Sequence, residues 1–140
     1  MEKKIILVVD DEEEIHELIK EYLARLNVEI YSAYDGGEAI KIYKELWEKG
    51  RKPDLVVMDL NLSESKHEKR KQLKEEQIDG VKTTQKLKRI DPNANVIGFT
   101  AYAHLEWGER LRKIGVKHVF GREIGFNGFA EKVSELLSLS

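Results

Sequence analysis

Short apolar runs alternate with segments of helical periodicity, and this alternation constrains the fold more than any other feature of the chain. Lys4 to Val9 is a continuous, largely β-branched run of the kind that forms a strand buried on both faces. The next segment carries apolar residues at helical spacing from Ile15 to Leu26, after three consecutive glutamates. This pair of segments predicts a buried strand followed by the helix that covers it.

The same unit repeats along the chain. Further strands are predicted at Val28–Ala33, Asp54–Asp59, Asn95–Thr100 and Val116–Phe120. Further helix faces are predicted from Ala39 to Trp47, Val81 to Lys88, Leu105 to Ile114 and Phe129 to Leu137. Strands that alternate with helices favour right-handed crossovers, so we expect an α/β fold with a doubly wound parallel sheet.

Composition excludes several classes of function. The 140 residues, 41% of them apolar, suffice for a single domain with one core. A formal net charge of -2 gives no basic field, so we expect no direct nucleic-acid partner. The apolar runs are far shorter than the roughly 20 residues of a membrane span, which predicts no membrane insertion and a cytoplasmic location. The chain has no cysteine, which excludes disulfides and thiolate-bound zinc.

Acidic residues follow two of the predicted strands. Asp10 and Asp11 come after the first strand, and Asp59 ends the third. Ligands of doubly wound sheets bind at the carboxyl ends of the strands, so three carboxylates would converge if these strands are neighbours. A hard divalent cation, Mg²⁺ or Mn²⁺, would neutralise such a cluster. The alternative is that Asp11 only caps a helix and Asp59 only ends a strand.

Thr100 ends the fourth predicted strand, at the edge where Asp10, Asp11 and Asp59 are expected. This set of residues resembles the signature of the receiver domains of two-component response regulators, and the resemblance extends over essentially the whole chain. It implies a flavodoxin-like sheet with strand order 2-1-3-4-5. It also implies that Asp10 and Asp11 hold Mg²⁺, and that Asp59, itself a metal ligand, accepts a phosphoryl group.

The resemblance implies further roles by position. Asn61 would lend its backbone carbonyl to the metal, and Thr100 with Ala101 would respond to the phosphoryl group. The implied partners are a sensor histidine kinase or phosphotransfer protein, and a downstream effector that the sequence does not identify. No output domain is predicted within residues 1–140. We therefore expect a stand-alone receiver, not an enzyme with a separate turnover substrate.

The chain departs from the family pattern after the fifth predicted strand. The family's Lys-Pro pair falls on Arg122 and Glu123, and its aromatic switch position falls on Val119. Arginine keeps the positive charge and offers donors suited to phosphate, so Arg122 is predicted to replace the lysine as the phosphoryl-binding cation. The alternative is a pseudo-receiver that binds partners without phosphorylation.

A polar insertion at about residues 63–77 is the second departure. It is rich in Lys and Glu, has no Gly or Pro, and contains Leu73 as its only aliphatic residue. Its residues suit a helix, but no apolar stripe would dock that helix on the core. A solvated mobile loop is therefore predicted, with a partner-recognition or active-site-covering element as the alternative.

The remaining candidates are weaker. The histidines show no zinc-binding spacing, and His16 is predicted on the solvent-facing side of the first helix. A phosphatase of the haloacid dehalogenase type would need Asp-x-Asp after the first strand, where this chain has Asp10, Asp11 and Glu12. A flavin-binding loop is disfavoured there too, because these carboxylates would repel the flavin phosphate.

Overall fold

The structure is a computed structural model that describes residues 3–59, 73–101 and 106–138, with side chains for 3–59, 80–101 and 108–138. The strands are β1 (Lys4–Val9), β2 (Val28–Ala33), β3 (Leu55–Met58), β4 (Val96–Thr100) and β5 (His118–Gly121). The helices are α1 (Glu13–Tyr22), α2 (Gly36–Glu48), α3 (Leu73–Ile90), α4 (Glu106–Lys113) and α5 (Gly125–Leu136). A short 3₁₀ turn at Arg122–Ile124 links β5 to α5.

The five strands form one parallel sheet in the order β2-β1-β3-β4-β5. This confirms the predicted doubly wound fold and its strand order. The chain moves outward from β1 to β2 and then returns to the other side of β1, so the order of the strands reverses between β1 and β3. Such a reversal leaves a crevice at the carboxyl edge, where ligands of doubly wound sheets bind.

The sheet separates two apolar layers, because successive side chains of a strand point to opposite faces. On one face, Leu7 and Val9 of β1 belong to the core that α2, α3 and α4 cover. On the other face, Ile6 and Val8 pack with residues of α1 and α5. Both faces of β1 are therefore buried, as its continuous apolar run predicted.

Helix α3 begins earlier than the sequence pattern indicated. It starts at Leu73 and ends at Ile90, immediately before the predicted stop at Asp91. The last part of the 63–77 insertion is therefore helical, which agrees with its content of good helix formers and corrects the prediction of a loop there. The rest of the insertion, from residue 63 to 72, lies outside the described residues.

Two side-chain predictions are wrong. His16 is 1% exposed and faces the core side of α1, although a polar residue at that position suggested the solvent side. Trp47 was assigned to the inner face of α2 but is 39% exposed, because Ala39, Tyr43 and Leu46 fill that face. Over the described ranges, no helix combines the length and apolar character needed to cross a bilayer.

Candidate functional site

The carboxyl ends of β1 and β3 bring two predicted site residues together. The two strands are neighbours, with Val9 opposite Met58, so Asp10 and Asp59 follow side by side. The N–H of Asp59 donates to the carbonyl of Val9 at 3.0 Å, and the N–H of Asp10 donates to the carbonyl of Ala33 at 3.1 Å. Both aspartates thus continue the ladders of the central strands, and their side chains are buried.

A cluster that could hold a metal ion lies where β1 passes into α1. One carboxylate oxygen from each of Asp10, Asp11 and Glu12 lies within 4.8 Å of the others, counting only the residues that the structure describes. Three carboxylates make a hard, all-oxygen donor set, which suits Mg²⁺ or Mn²⁺. Glu12 was not predicted as a ligand, although its place directly after the Asp10-Asp11 pair is a signal that the sequence carries.

The cluster is electrostatically costly without a cation. Burial, followed by the charge of Asp59 and to a smaller extent that of Asp11, raises the pKa of Asp10 from 3.8 to about 8. The Glu12 N–H, which donates to Oδ1 of Asp10, and the nearby Arg122 act in the opposite direction. A carboxyl group with so strongly raised a pKa, in a crevice at the strand ends, is typical of functional sites. The donor set therefore fits a divalent cation.

Arg122 reaches into the same pocket from the end of β5. Its Nη2 lies 3.1 Å from Oδ2 of Asp10 and 3.9 Å from Oδ1 of Asp59. Its Nε and Nη2 also donate to the carbonyl of Phe99, and the guanidinium lies 4.7 Å from the centre of the Phe99 ring. Arg122 therefore lies where the sequence comparison placed it, as the cation beside both aspartates.

Thr100, the predicted hydroxyl residue of the site, also lies at this edge of the sheet. Thr100 ends β4 opposite Gly121 of β5 and is fully buried. Ala101 follows it and is exposed at the start of a turn. Asn61, the predicted carbonyl ligand, lies outside the described residues. The structure thus groups Asp10, Asp11 and Asp59 with Thr100 and Arg122 at one edge of the sheet.

A histidine that sequence reasoning placed in solvent lies directly beside the acidic cluster. Nε2 of His16 donates to the carbonyl oxygen of Asp10 at 2.7 Å. Its ring is 4.3 Å from that of Tyr34, centre to centre, and the two are tilted by 43°. Burial lowers the pKa of His16, although its bond to Asp10 partly opposes this. A helical spacing to Ile19 and Leu23 was the available signal.

The sequence model of the response regulator receiver domain family matches residues 6–134 of the chain. The chain belongs to this family. Receivers are signalling proteins of two-component systems, and they bind Mg²⁺ in a cluster of acidic residues. In this receiver, Asp10, Asp11 and Glu12 form such a cluster.

Curated relatives share most of the receiver's length. It is 25% identical to the sporulation initiation phosphotransferase F of Bacillus subtilis, over 96% of this chain and 94% of that protein. It is 30% identical to the chemotaxis protein CheY of Thermotoga maritima, over 81% of each. The CheY of the CheX-CheY-BeF₃-Mg²⁺ complex from Borrelia burgdorferi has the same fold, with a TM-score of 0.76, 19% identity, and coverage of 96% of this chain and 89% of that chain.

Proposed function

We propose that this receiver accepts a phosphoryl group on Asp59 in a Mg²⁺-dependent reaction and passes the signal on by a conformational change. The donor would be a sensor histidine kinase or a phosphotransfer protein. One observation carries the proposal: Asp59 ends β3 beside the carboxylate cluster, with the guanidinium of Arg122 between Asp59 and Asp10. A nucleophile, ligands for a metal and a fixed cation thus meet at one strand edge.

The residues divide the chemistry among themselves. A carboxylate oxygen of Asp59 attacks phosphorus, and the bond from phosphorus to the donor's imidazole nitrogen breaks, with its electron pair left on that nitrogen. Asp10 and Asp11, with the carbonyl of Asn61, would hold the Mg²⁺, which neutralises charge on the phosphoryl oxygens. Arg122 would bind another phosphoryl oxygen through its guanidinium.

The response to phosphorylation is assigned to Thr100 and Ala101. The hydroxyl of Thr100 starts from a buried position at the end of β4, and a bond to the phosphoryl group would draw it toward Asp59. The exposed turn at Ala101 would move with it, which changes the population of two packings of this surface. The downstream effector would bind that surface.

The relatives support the proposal by what their names state. The Bacillus subtilis relative is a phosphotransferase, and the Borrelia burgdorferi CheY is described with BeF₃, Mg²⁺ and CheX. Because 94% of the phosphotransferase is covered by the alignment, action as a stand-alone receiver is part of the proposal. A cytoplasmic location is part of the same proposal.

Phosphorylation by acetyl phosphate tests the proposal. Wild type with Mg²⁺ should gain the mass of one phosphoryl group, lose it again in hydroxylamine, and gain none in EDTA. Asp59→Asn should gain none. The matched control is Asp54→Asn at the other end of β3, where the side chain accepts the N–H of Ile5 at 2.7 Å and an amide oxygen can do the same. Phosphorylation that persists in Asp59→Asn would contradict the assignment.

A pseudo-receiver is the second candidate. It is favoured by the ion pair between Arg122 and Asp10, which neutralises part of the cluster without a metal. A protein that binds Mg²⁺ or a partner yet takes up no phosphoryl from acetyl phosphate or a kinase would support this alternative.

A further inference from the structure

His16 is a buried polar residue that the proposed phosphoryl transfer does not use. It is 1% exposed, and its Nε2 lies 2.7 Å from the carbonyl oxygen of Asp10. A carbonyl oxygen only accepts hydrogen bonds, so Nε2 carries the proton. Within the described part of the chain, the other ring nitrogen, Nδ1, has no hydrogen-bonding partner. The bond to Asp10 is thus the hydrogen bond that the structure gives to this buried ring.

The contact lies where the start of α1 lacks the usual side-chain cap. Glu12 is the N-cap residue, and its side chain makes no capping bond. Ser, Thr, Asp and Asn side chains at this position normally accept hydrogen bonds from the first free N–H groups of the helix. Here one carboxylate oxygen of each of Asp10, Asp11 and Glu12 lies within 4.8 Å of the others, and Oδ1 of Asp10 accepts the N–H of Glu12. His16 supplies a link between the helix and this loop that a cap would otherwise provide.

Contacts with β2 and α2 also hold the main chain around Asp10 in place. The Asp10 N–H donates to Ala33, so the two polar groups of the Asp10 main chain are bound on one side by β2 and on the other by His16. Tyr34, the next residue after Ala33, packs its ring on His16. The N–H of Tyr34 donates in turn to Glu38 of α2 at 2.6 Å. The main chain at the carboxylate cluster is therefore held by β2 and α1, and Tyr34, which packs on His16, is bound in turn to α2.

We infer that His16 is a positioning residue, which holds the Asp10 carbonyl through its Nε2–H and so directs the Asp10 and Asp11 carboxylates toward the metal. The inference rests on the proposed Mg²⁺ site. Residues that orient metal ligands without touching the metal typically change metal affinity by about 10- to 100-fold when they are replaced. His16 acts on the ligands through the main chain, not through their carboxylates.

Three variants separate positioning from packing. His16→Phe keeps a ring against Tyr34 and removes the donor. His16→Gln restores an N–H at the ε position, and His16→Asn carries the same amide one methylene shorter, too short to reach Asp10. Ile19→Ala is the control for stability, because Ile19 is buried on the same helix face and belongs to the apolar core.

Calorimetric titration with MgCl₂ is the first measurement. We expect about tenfold or greater loss of Mg²⁺ affinity in His16→Phe and His16→Asn, and recovery to within about threefold of wild type in His16→Gln. Ile19→Ala should unfold more easily but bind Mg²⁺ like wild type. At saturating Mg²⁺, the rate of phosphorylation by acetyl phosphate should return toward wild type in all three His16 variants.

Equal Mg²⁺ affinity in wild type and His16→Asn, or an equal loss in His16→Gln and His16→Asn, would overturn the inference alone. A wild type that gives no binding heat would overturn the metal site and the inference together. Nitrogen chemical shifts of His16 give a further readout: a protonated Nε2 and a bare Nδ1 are expected. If His16→Phe does not fold, the comparison of His16→Gln with His16→Asn decides the question.

Discussion

The guanidinium of Arg122 donates from Nη2 to Oδ2 of Asp10 across 3.1 Å, although the two residues lie 112 positions apart in the sequence. The other oxygen of that carboxylate, Oδ1, accepts the N–H of Glu12 at 2.9 Å. Both oxygens of Asp10 thus have a partner within the chain. A metal ion bound by Asp10 would lie close to this guanidinium, so the internal cation and the metal compete for the charge of one carboxylate.

Arg122→Met should lower the stability of the metal-free protein. Above pH 8, where Asp10 is charged, the variant keeps an apolar side chain against Phe99 but leaves the buried Asp10 carboxylate without its cation, which costs about 1–3 kcal/mol. In the presence of Mg²⁺ the loss of stability should be smaller, because the metal neutralises the same carboxylate. By linkage, the variant should bind Mg²⁺ about tenfold more tightly for each 1.4 kcal/mol of that difference. Urea unfolding with and without Mg²⁺ measures both effects.

Arg122→Lys is the matched control for charge. It should retain most of the stability, and it should be phosphorylated faster than Arg122→Met because an ammonium can still bind a phosphoryl oxygen. If neither variant changes the phosphorylation rate, the affinity for beryllofluoride or the stability in EDTA, Arg122 has no role at this edge and the pseudo-receiver alternative gains support.

The pH dependence of stability should reveal the cost of the Asp10 charge. The pKa of Asp10 is about 8 in the fold and near 3.8 when the chain is unfolded. Between these values the folded protein binds more protons than the unfolded chain, so the free energy of unfolding falls as the pH rises. Asp10→Asn removes this dependence. In EDTA, wild type should be less stable than Asp10→Asn above pH 8, and the gap should close as the pH falls toward 3.8.

Urea midpoints of the two proteins across this pH range provide the measurement, and their difference removes the contributions of other titrating groups. A constant difference would show that Asp10 does not titrate within this range. Added Mg²⁺ should narrow the gap at high pH, since the metal favours the charged carboxylate.

The doubly wound fold was predictable because it depends on local patterns, whereas the strand order was implied by the resemblance to receiver domains. The apolar run of β1 and the helical spacing of α1 predict a parallel sheet, and the order of its strands places Asp10 beside Asp59. That Arg122 lies there follows from its position just after β5. What each of these residues does in phosphoryl transfer stays a prediction.

His16 was missed although its spacing to Ile19 and Leu23 places it on the buried face of α1. Periodicity assigned the face of α1 from its apolar residues, and a histidine there counted as polar and exposed. Its burial depends on a carbonyl six residues earlier, in a loop whose shape no periodicity encodes. The prediction for Trp47 was wrong for the opposite reason. Its large apolar side chain suggested burial, but its ring lies at the surface near Tyr43 and the ammonium of Lys52.

Tyr43→Phe should destabilise the protein without affecting phosphorylation. The Tyr43 hydroxyl donates to Oδ2 of Asp91 at 2.7 Å, and both residues are buried. Burial alone would raise the pKa of Asp91, but the bonds from Tyr43, Lys52 and the Asn93 N–H bring it below its usual value. Removing the hydroxyl leaves a buried acceptor poorly satisfied, at a cost of about 1–3 kcal/mol. Chemical denaturation measures this loss.

Lys52→Met provides the comparison for this cluster. Its Nζ lies 3.0 Å from Asp91, but its side chain is 37% exposed, so solvent screens the pair and a smaller loss of about 0–1 kcal/mol is expected. Because the Asp91 pKa is lowered, its contribution to stability is present above the unfolded pKa and is lost as the pH falls below it. Equal stability of Tyr43→Phe and wild type at neutral pH would contradict this account.

Gly36→Ala should weaken the contact between α2 and α3. Gly36 is the first residue of α2, and a methyl group there would collide with Oγ1 of Thr83, which is buried on α3. Overpacking of this kind costs about 1–3 kcal/mol. Thr83→Ala removes the colliding hydroxyl, so the double variant should be more stable than the two single losses predict by addition. Thermal unfolding of the four proteins closes the cycle. Strictly additive losses would mean that Thr83 does not restrict the side chain at position 36. The need for glycine there would then have a different structural reason.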